Sequence, residues 1–219
     1  MLECKKRDED KHEIDYRTMK LMVAAISLTL SGLTLYFAEG PLASISHAYC
    51  ADGMSRDIFV GFLFAIAAIM SAHNGADDCE KVASRLAAVS ALGVALVPTS
   101  CRDDVASTWH FLFAAAVFAI LAWFCWSFYR RAGTKPHPEY AARRKIVYGI
   151  CGIGILAMMG LIAAHKFFGL WPAFNVTFNG EAIGLALFGV SWLVASHFLP
   201  YFDHPGERMK VTKPPVPQA

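Results

Sequence analysis

Charge is scarce in this chain, and its absences are strongly placed. Charged residues make up 17% of the 219 and hydrophobic ones 56%, whereas a soluble domain of this length carries about a quarter charged residues. The central parts of six apolar runs, at 21–38, 58–73, 82–98, 109–128, 146–165 and 182–201, hold no Asp, Glu, Lys, Arg or His. Proton-coupled pumps, ion exchangers and voltage sensors keep ionisable side chains inside the membrane, and many transporters carry paired broken helices. Neither sign is present, which argues against a coupled transporter. Also missing are any CxxC or zinc-ribbon spacing and any internal repeat.

The charges that are there are sorted. If each run crosses a bilayer, one side receives Lys5, Lys6, Arg7, Lys11, Arg17, Lys20, Lys81, Arg85, Arg130, Arg131, Lys135, Arg143, Arg144, Lys145, Arg208, Lys210 and Lys213. The other side keeps only Arg56, Arg102 and Lys166. Cytoplasmic loops rich in Lys and Arg orient membrane helices, so the reading is an all-α, polytopic bundle of six transmembrane helices with both termini cytoplasmic, in a bacterial inner membrane. About 20 residues span the hydrocarbon, and six such helices leave one domain, 21–201. It is flanked by a charged cytoplasmic arm, 1–20, and a Pro-rich tail, 202–219, expected to be disordered. Some 20 polar residues precede the first run, which argues against a cleaved signal peptide.

Small residues recur at helical spacing: Ala87, Ala91 and Ala95; Gly180 and Gly184; Ser27, Ser31 and Thr34; Gly149, Gly152 and Gly160. Such faces let helices approach closely in lipid, within one bundle or, for Gly180 and Gly184, between two copies. Trp109, Trp123, Trp126 and Trp192 sit near run ends, as an interfacial aromatic belt would have them. Asn175-Val176-Thr177 is a glycosylation sequon that matters only in a eukaryotic secretory pathway. Cys50 and Cys101 fall in outer loops where oxidation is possible, so a disulfide between them competes with two free thiols.

The remaining ionisable groups collect at the outer helix ends: Ser44, Ser46, His47, Tyr49, Arg56 and Asp57, then His110, then His165, Lys166 and Glu181. A ring of helix ends would bring His47, Asp57, His110 and Glu181 together, a ligand set suited to zinc or another divalent metal. Such a metal would activate water against a lipid ester or amide. The competing reading makes the histidines interfacial side chains and Arg56–Asp57 an ion-pair network. Arg56 equally suits a phosphate or carboxylate, since its planar fork binds both bidentately. On the inner side, His73 near Asp77, Asp78 and Glu80 reads as a solvated turn.

Ser44-Ile45-Ser46-His47, Arg56-Asp57-Ile58-Phe59-Val60-Gly61, Ala95-Leu96-Val97-Pro98-Thr99 and Phe188-Gly189-Val190-Ser191-Trp192-Leu193 resemble segments of an uncharacterised bacterial six-helix membrane family akin to the FRAG/DRAM-type proteins. That resemblance covers about residues 20–195 and implies a six-helix bundle without an assigned reaction. More distantly, Ser44, His47 and Asp57 resemble the early zinc-site positions of the ceramidase/adiponectin-receptor-like membrane hydrolases. The late His-x-x-x-His of those enzymes is missing, with Glu181 at the comparable place. The expected function is binding of lipid headgroups, or of another membrane protein, through Ser46, His47, Tyr49, Arg56, Asp57, His110 and Glu181 at the outer rim. Metal-dependent lipid hydrolysis and transport of a lipid or small molecule stand as alternatives. The bilayer is the expected partner, and no nucleic acid is expected.

Overall fold

A computed structural model describes residues 9–51, 53–97, 99, 108–134, 137–169 and 175–207. Among these residues the chain is helical and without strands: α1 Glu9–Phe37, α2 Gly53–Ala72, α3 Asp78–Leu96, α4 Thr108–Ala132, α5 Pro138–Phe168 and α6 Val176–Ala195. Short 3-10 turns occupy Ile45–Cys50 and Pro200–Phe202. Each apolar run forms one helix. Five stretches, Tyr16–Phe37, Gly53–Ala72, Thr108–Ala132, Pro138–Phe168 and Val176–Ala195, are long and apolar enough to cross a membrane, which is the make-up of a helical integral membrane protein.

The helix ends follow from local chemistry. Asp77 caps α3 by accepting the Glu80 backbone N–H at 2.8 Å, and the Glu80 carboxylate reaches back to the Ala76 N–H at 2.7 Å, a close variant of the capping box. Gly75 makes that entry possible: its φ is +67°, and an added Cβ would lie 2.4 Å from Glu80 Cβ. Pro138 opens α5 and Gly169 closes it in the left-handed region, donating to His165 O, the expected asymmetry of helix ends. Asn175 caps α6.

Consecutive helices pack side by side and α6 returns to α1, closing a ring of six. Tyr16 of α1 stacks on His73 past α2, Glu80 of α3 meets Arg131 of α4, and Lys20 of α1 meets Ala195 at the end of α6. One end of the ring, the basic end, is therefore assembled from α1, α3 and α5 starts and α2, α4 and α6 ends. At the other, Glu181 of α6 meets Ile45 and His110 of α4 meets Val97 beyond α3.

The ring closes around Phe124, Phe128, Phe188 and Trp192, whose rings lie 5.4 to 6.0 Å apart in tilted and edge contacts. Trp192 is fully buried, not in the aromatic belt, whereas Trp109 and Trp126 are exposed as a belt requires. Gly180 and Gly184 pack inside the chain, whereas Gly160 has nothing within 4 Å. A Cβ on Gly180 would meet Ile162 of α5 at 2.8 Å, and one on Gly184 would meet Phe118 of α4 at 2.8 Å, so this pair packs intramolecularly. Ala87, Ala91 and Ala95 are buried, as are Ser27 and Thr34. Of the expected tail, residues 202–207 are described and 208–219 lie outside the described residues. Asp203 is fully buried and ion-paired to Arg144, holding 203–207 against α5.

Candidate functional site

A cavity of about 870 Å³ opens at the end opposite the basic one. Its apolar body comes from α4 and α5, including Ala114, Ala115, Phe118, Met159 and Ile162. Its polar mouth comes from Ser44, Ser46, His47, His110, Lys166 and Glu181. The 3-10 turn lines this mouth through Ser46 and His47. Ser44 caps it, accepting the His47 N–H at 3.1 Å and lying 3.0 Å from the Ser46 hydroxyl. Glu181 ties the turn to α6 by accepting the Ile45 N–H at 2.6 Å, and the Asn175 amide donates to Leu42 O. His110 is buried, with Nδ1 2.8 Å from Val97 O. Lys166 is exposed, its ammonium 5.0 Å from the Phe111 ring centre.

The rim expected from sequence divides in two. Ser46, His47, His110 and Glu181 share the cavity. Tyr49 and Arg56 pair beside it: the guanidinium carbon lies 4.6 Å from the Tyr49 ring centre and NH2 donates to the phenol oxygen at 3.5 Å. Asp57 is exposed and does not line the cavity. Helix rotation explains this. Ser55 and Phe59 are buried, and two residues from Ser55 is about 200° of turn. Cys50 is disulfide-bonded, and its sulfur lies 3.4 Å from the Thr99 hydroxyl. Its expected partner, Cys101, lies outside the described residues, and Cys79, Cys125 and Cys151 are free thiols.

Among the described residues, the three ligand-type side chains whose atoms come within 4.8 Å of one another are His197, Asp203 and Glu207 at the basic end, not the outer set. A cation already stands there. Arg144 NH1 donates to Asp203 Oδ1 at 3.0 Å and to Glu207 Oε2 at 3.1 Å, so the acidic pair serves as the counter-charge of a buried guanidinium.

At the expected solvated turn, Asp77 and Asp78 are exposed, but His73 and Glu80 are buried in a network. Glu80 is fully buried and accepts from Arg131 NH1 at 2.5 Å, Ser127 Oγ at 2.7 Å and Ala76 N at 2.7 Å. Burial alone would raise its carboxyl pKa, but the Arg131 hydrogen bond and charge, with the Ser127 and Ala76 bonds, outweigh it and lower the pKa. His73, just past the α2 span, is 1% exposed. Its ring stacks on Tyr16 at 4.8 Å and lies 5.3 Å from Trp192, and neither ring nitrogen has a hydrogen-bond partner. Burial, then the charge of Lys20, push its pKa down to about 4 against the pull of Glu80, with Arg131 adding to the lowering. Neutral imidazole is the form this aromatic cage holds.

Sequence reading missed this network because its partners lie far apart along the chain. The one local signal was the Asp77–Glu80 spacing after Gly75, a helix-start pattern. No family model, no curated protein and no solved structure matches the chain.

Proposed function

We propose that this chain is a six-span membrane protein that binds an amphiphile from the bilayer in its outer-end cavity. The observation that carries the reading is the cavity itself: an apolar body between α4 and α5 under a mouth of Ser46, His47, His110, Lys166 and Glu181. That gradient from apolar to polar matches a lipid's upper chain and headgroup, and pockets of this size enclose small molecules. The polar mouth gives the headgroup hydrogen-bonding partners, and Lys166 favours an anionic one.

Two further features support the membrane placement. α3 is not among the five helices long and apolar enough to cross a membrane, yet Val82, Leu86, Val89 and Leu96 are all more than half exposed on it. Its Glu80, Ser84 and Ser90 are buried. Apolar outside and polar inside is the arrangement of a lipid-facing helix, which supports reading α3 from Val82 onward as the sixth span. The Lys and Arg excess at the basic end supports the reading that this end faces the cytoplasm.

The test is native mass spectrometry of the detergent-purified chain. Wild type should retain a lipid-sized adduct that Ala115→Trp, which fills the cavity, abolishes while the protein stays folded. Identical adducts on both proteins would overturn the reading. Stoichiometric zinc that disappears on His47→Ala and His110→Ala would replace it with metal-dependent hydrolysis.

A further inference from the structure

The outer mouth carries two charges of opposite sign that do not meet. Among the described residues lining it, Glu181 is the one carboxylate and Lys166 the one Lys or Arg. No ion pair joins them, and each is held in its own place. Glu181 Oε2 accepts the Ile45 N–H at 2.6 Å, and the exposed Lys166 rests its ammonium 5.0 Å from the Phe111 ring centre. The other oxygen of Glu181, Oε1, makes no hydrogen bond among the described residues and yet keeps accessible surface. It therefore meets the cavity that Glu181 lines. A second cavity, of about 710 Å³ at the basic end, differs in this respect. There Arg131 pairs with Glu80, and Arg144 with Asp203 and Glu207, so these cations already have their counter-charges.

A carboxylate oxygen facing a space with an apolar body attracts a cation, because its charge is poorly solvated there. Its lone pairs call for an N–H or O–H donor. The ammonium at the same mouth calls for an anion. A ligand that answers Lys166 alone brings a second negative charge beside Glu181, whereas a phosphate joined to a protonated amine answers both groups and leaves the mouth neutral. A quaternary amine has the charge but no N–H to donate to Oε1. We propose that the outer cavity selects a zwitterionic phospholipid with a primary amine, of the ethanolamine class, its phosphate at Lys166 and its ammonium on Glu181 Oε1. This rests on the reading of the cavity as an amphiphile site and narrows it to one headgroup.

The test is a native mass-spectrometric titration of the delipidated full chain in detergent. The probes are the dioctanoyl forms of phosphatidylethanolamine, phosphatidylcholine and phosphatidylglycerol. The choline lipid removes the N–H donors and keeps the charges, and the glycerol lipid keeps the phosphate without an amine. Wild type should bind phosphatidylethanolamine about tenfold or more tighter than either, the order of one charge-assisted hydrogen bond. Glu181→Gln keeps a carbonyl oxygen for the Ile45 N–H but loses the charge. It should weaken the ethanolamine lipid by about tenfold and leave phosphatidylglycerol unchanged or tighter. Lys166→Met should weaken all three by about twofold to fivefold. The wild-type preference needs no variant, so it decides the matter if Glu181→Gln fails to fold. Equal affinity for phosphatidylethanolamine and either other lipid, or a preference that survives Glu181→Gln, overturns the headgroup assignment, while loss of binding in Ala115→Trp still upholds the cavity. Binding that is absent, or unmoved by Ala115→Trp, overturns both.

Discussion

Replacing Glu80 with Gln changes one oxygen to nitrogen and should be among the most damaging single substitutions in the bundle. Both carboxylate oxygens of Glu80 are used: Oε1 accepts from Arg131 and Ser127, and Oε2 from the Ala76 N–H. A glutamine amide must turn an N–H toward one of those donors and leaves Arg131 without its counter-charge. Breaking a fully buried ion pair by removing one partner costs about 3–5 kcal/mol. Arg131 is 29% exposed while Glu80 is at 0%, so water recovers part of the loss and about 2–4 kcal/mol is expected. The assay is reversible unfolding in mixed micelles at neutral pH, with Arg131→Met and the double variant completing a cycle. The double variant should be destabilised by less than the sum of the singles. Titration gives a second reading. Because the folded pKa of Glu80 is depressed, its contribution is present above the usual carboxylate pKa and is lost as pH falls through the folded value. That acid limb should vanish in Glu80→Gln. A loss under about 0.5 kcal/mol, with additive singles, would refute the network.

His73 supplies a separate pH dependence. With a folded pKa of about 4 against an ordinary 6.5, the unfolded chain takes up the proton first. Stability should therefore fall by up to about 3 kcal/mol between pH 6.5 and 4, and unfolding of His73→Phe measured over that range should be flatter. At Gly189, an added Cβ would meet Leu28 Cγ at 2.7 Å and the Ala24 carbonyl at 3.2 Å. Gly189→Ala should thus force α1 from α6 and cost about 1–3 kcal/mol, whereas Gly160→Ala, with nothing within 4 Å, should be neutral or stabilising by thermal unfolding in detergent.

How much of this was legible depended on whether the signal was local. Six helices follow from six apolar runs, because hydropathy is read one segment at a time. Convergence of His47, His110 and Glu181 follows from alternating helix direction, which puts their helix ends at one face. Asp57 could have been set apart by the same periodicity, since Ser55, Phe59, Ala67 and Met70 are the buried positions of α2. The Glu80–Arg131 and Arg144–Asp203 pairs span 51 and 59 residues, and no local pattern announces such partners. Charges at the ends of membrane helices look like orientation signals whether they face water or each other. Only packing distinguishes the two.

Packing also bears on transport. The outer cavity reaches Phe118 on α4 and Met159 on α5, and the basic-end cavity begins at Phe128 and Tyr148 on the same helices. The ten residues from Phe118 to Phe128 are about 15 Å of helix. Across that span Leu121, Ala122, Phe124, Cys125 and Ile155 are buried, with Phe188 and Trp192 packed against them from α6. Within this layer the Ser191 hydroxyl donates to Phe188 O at 2.8 Å and accepts from the Cys125 thiol at 3.3 Å, while the buried Trp192 Nε1 has no hydrogen-bond partner. A solute crossing between the cavities would have to part this close-packed aromatic layer. Close-packed interiors resist such deformation, so the two cavities are separate spaces, one at each end of the bundle, and not the two mouths of a path.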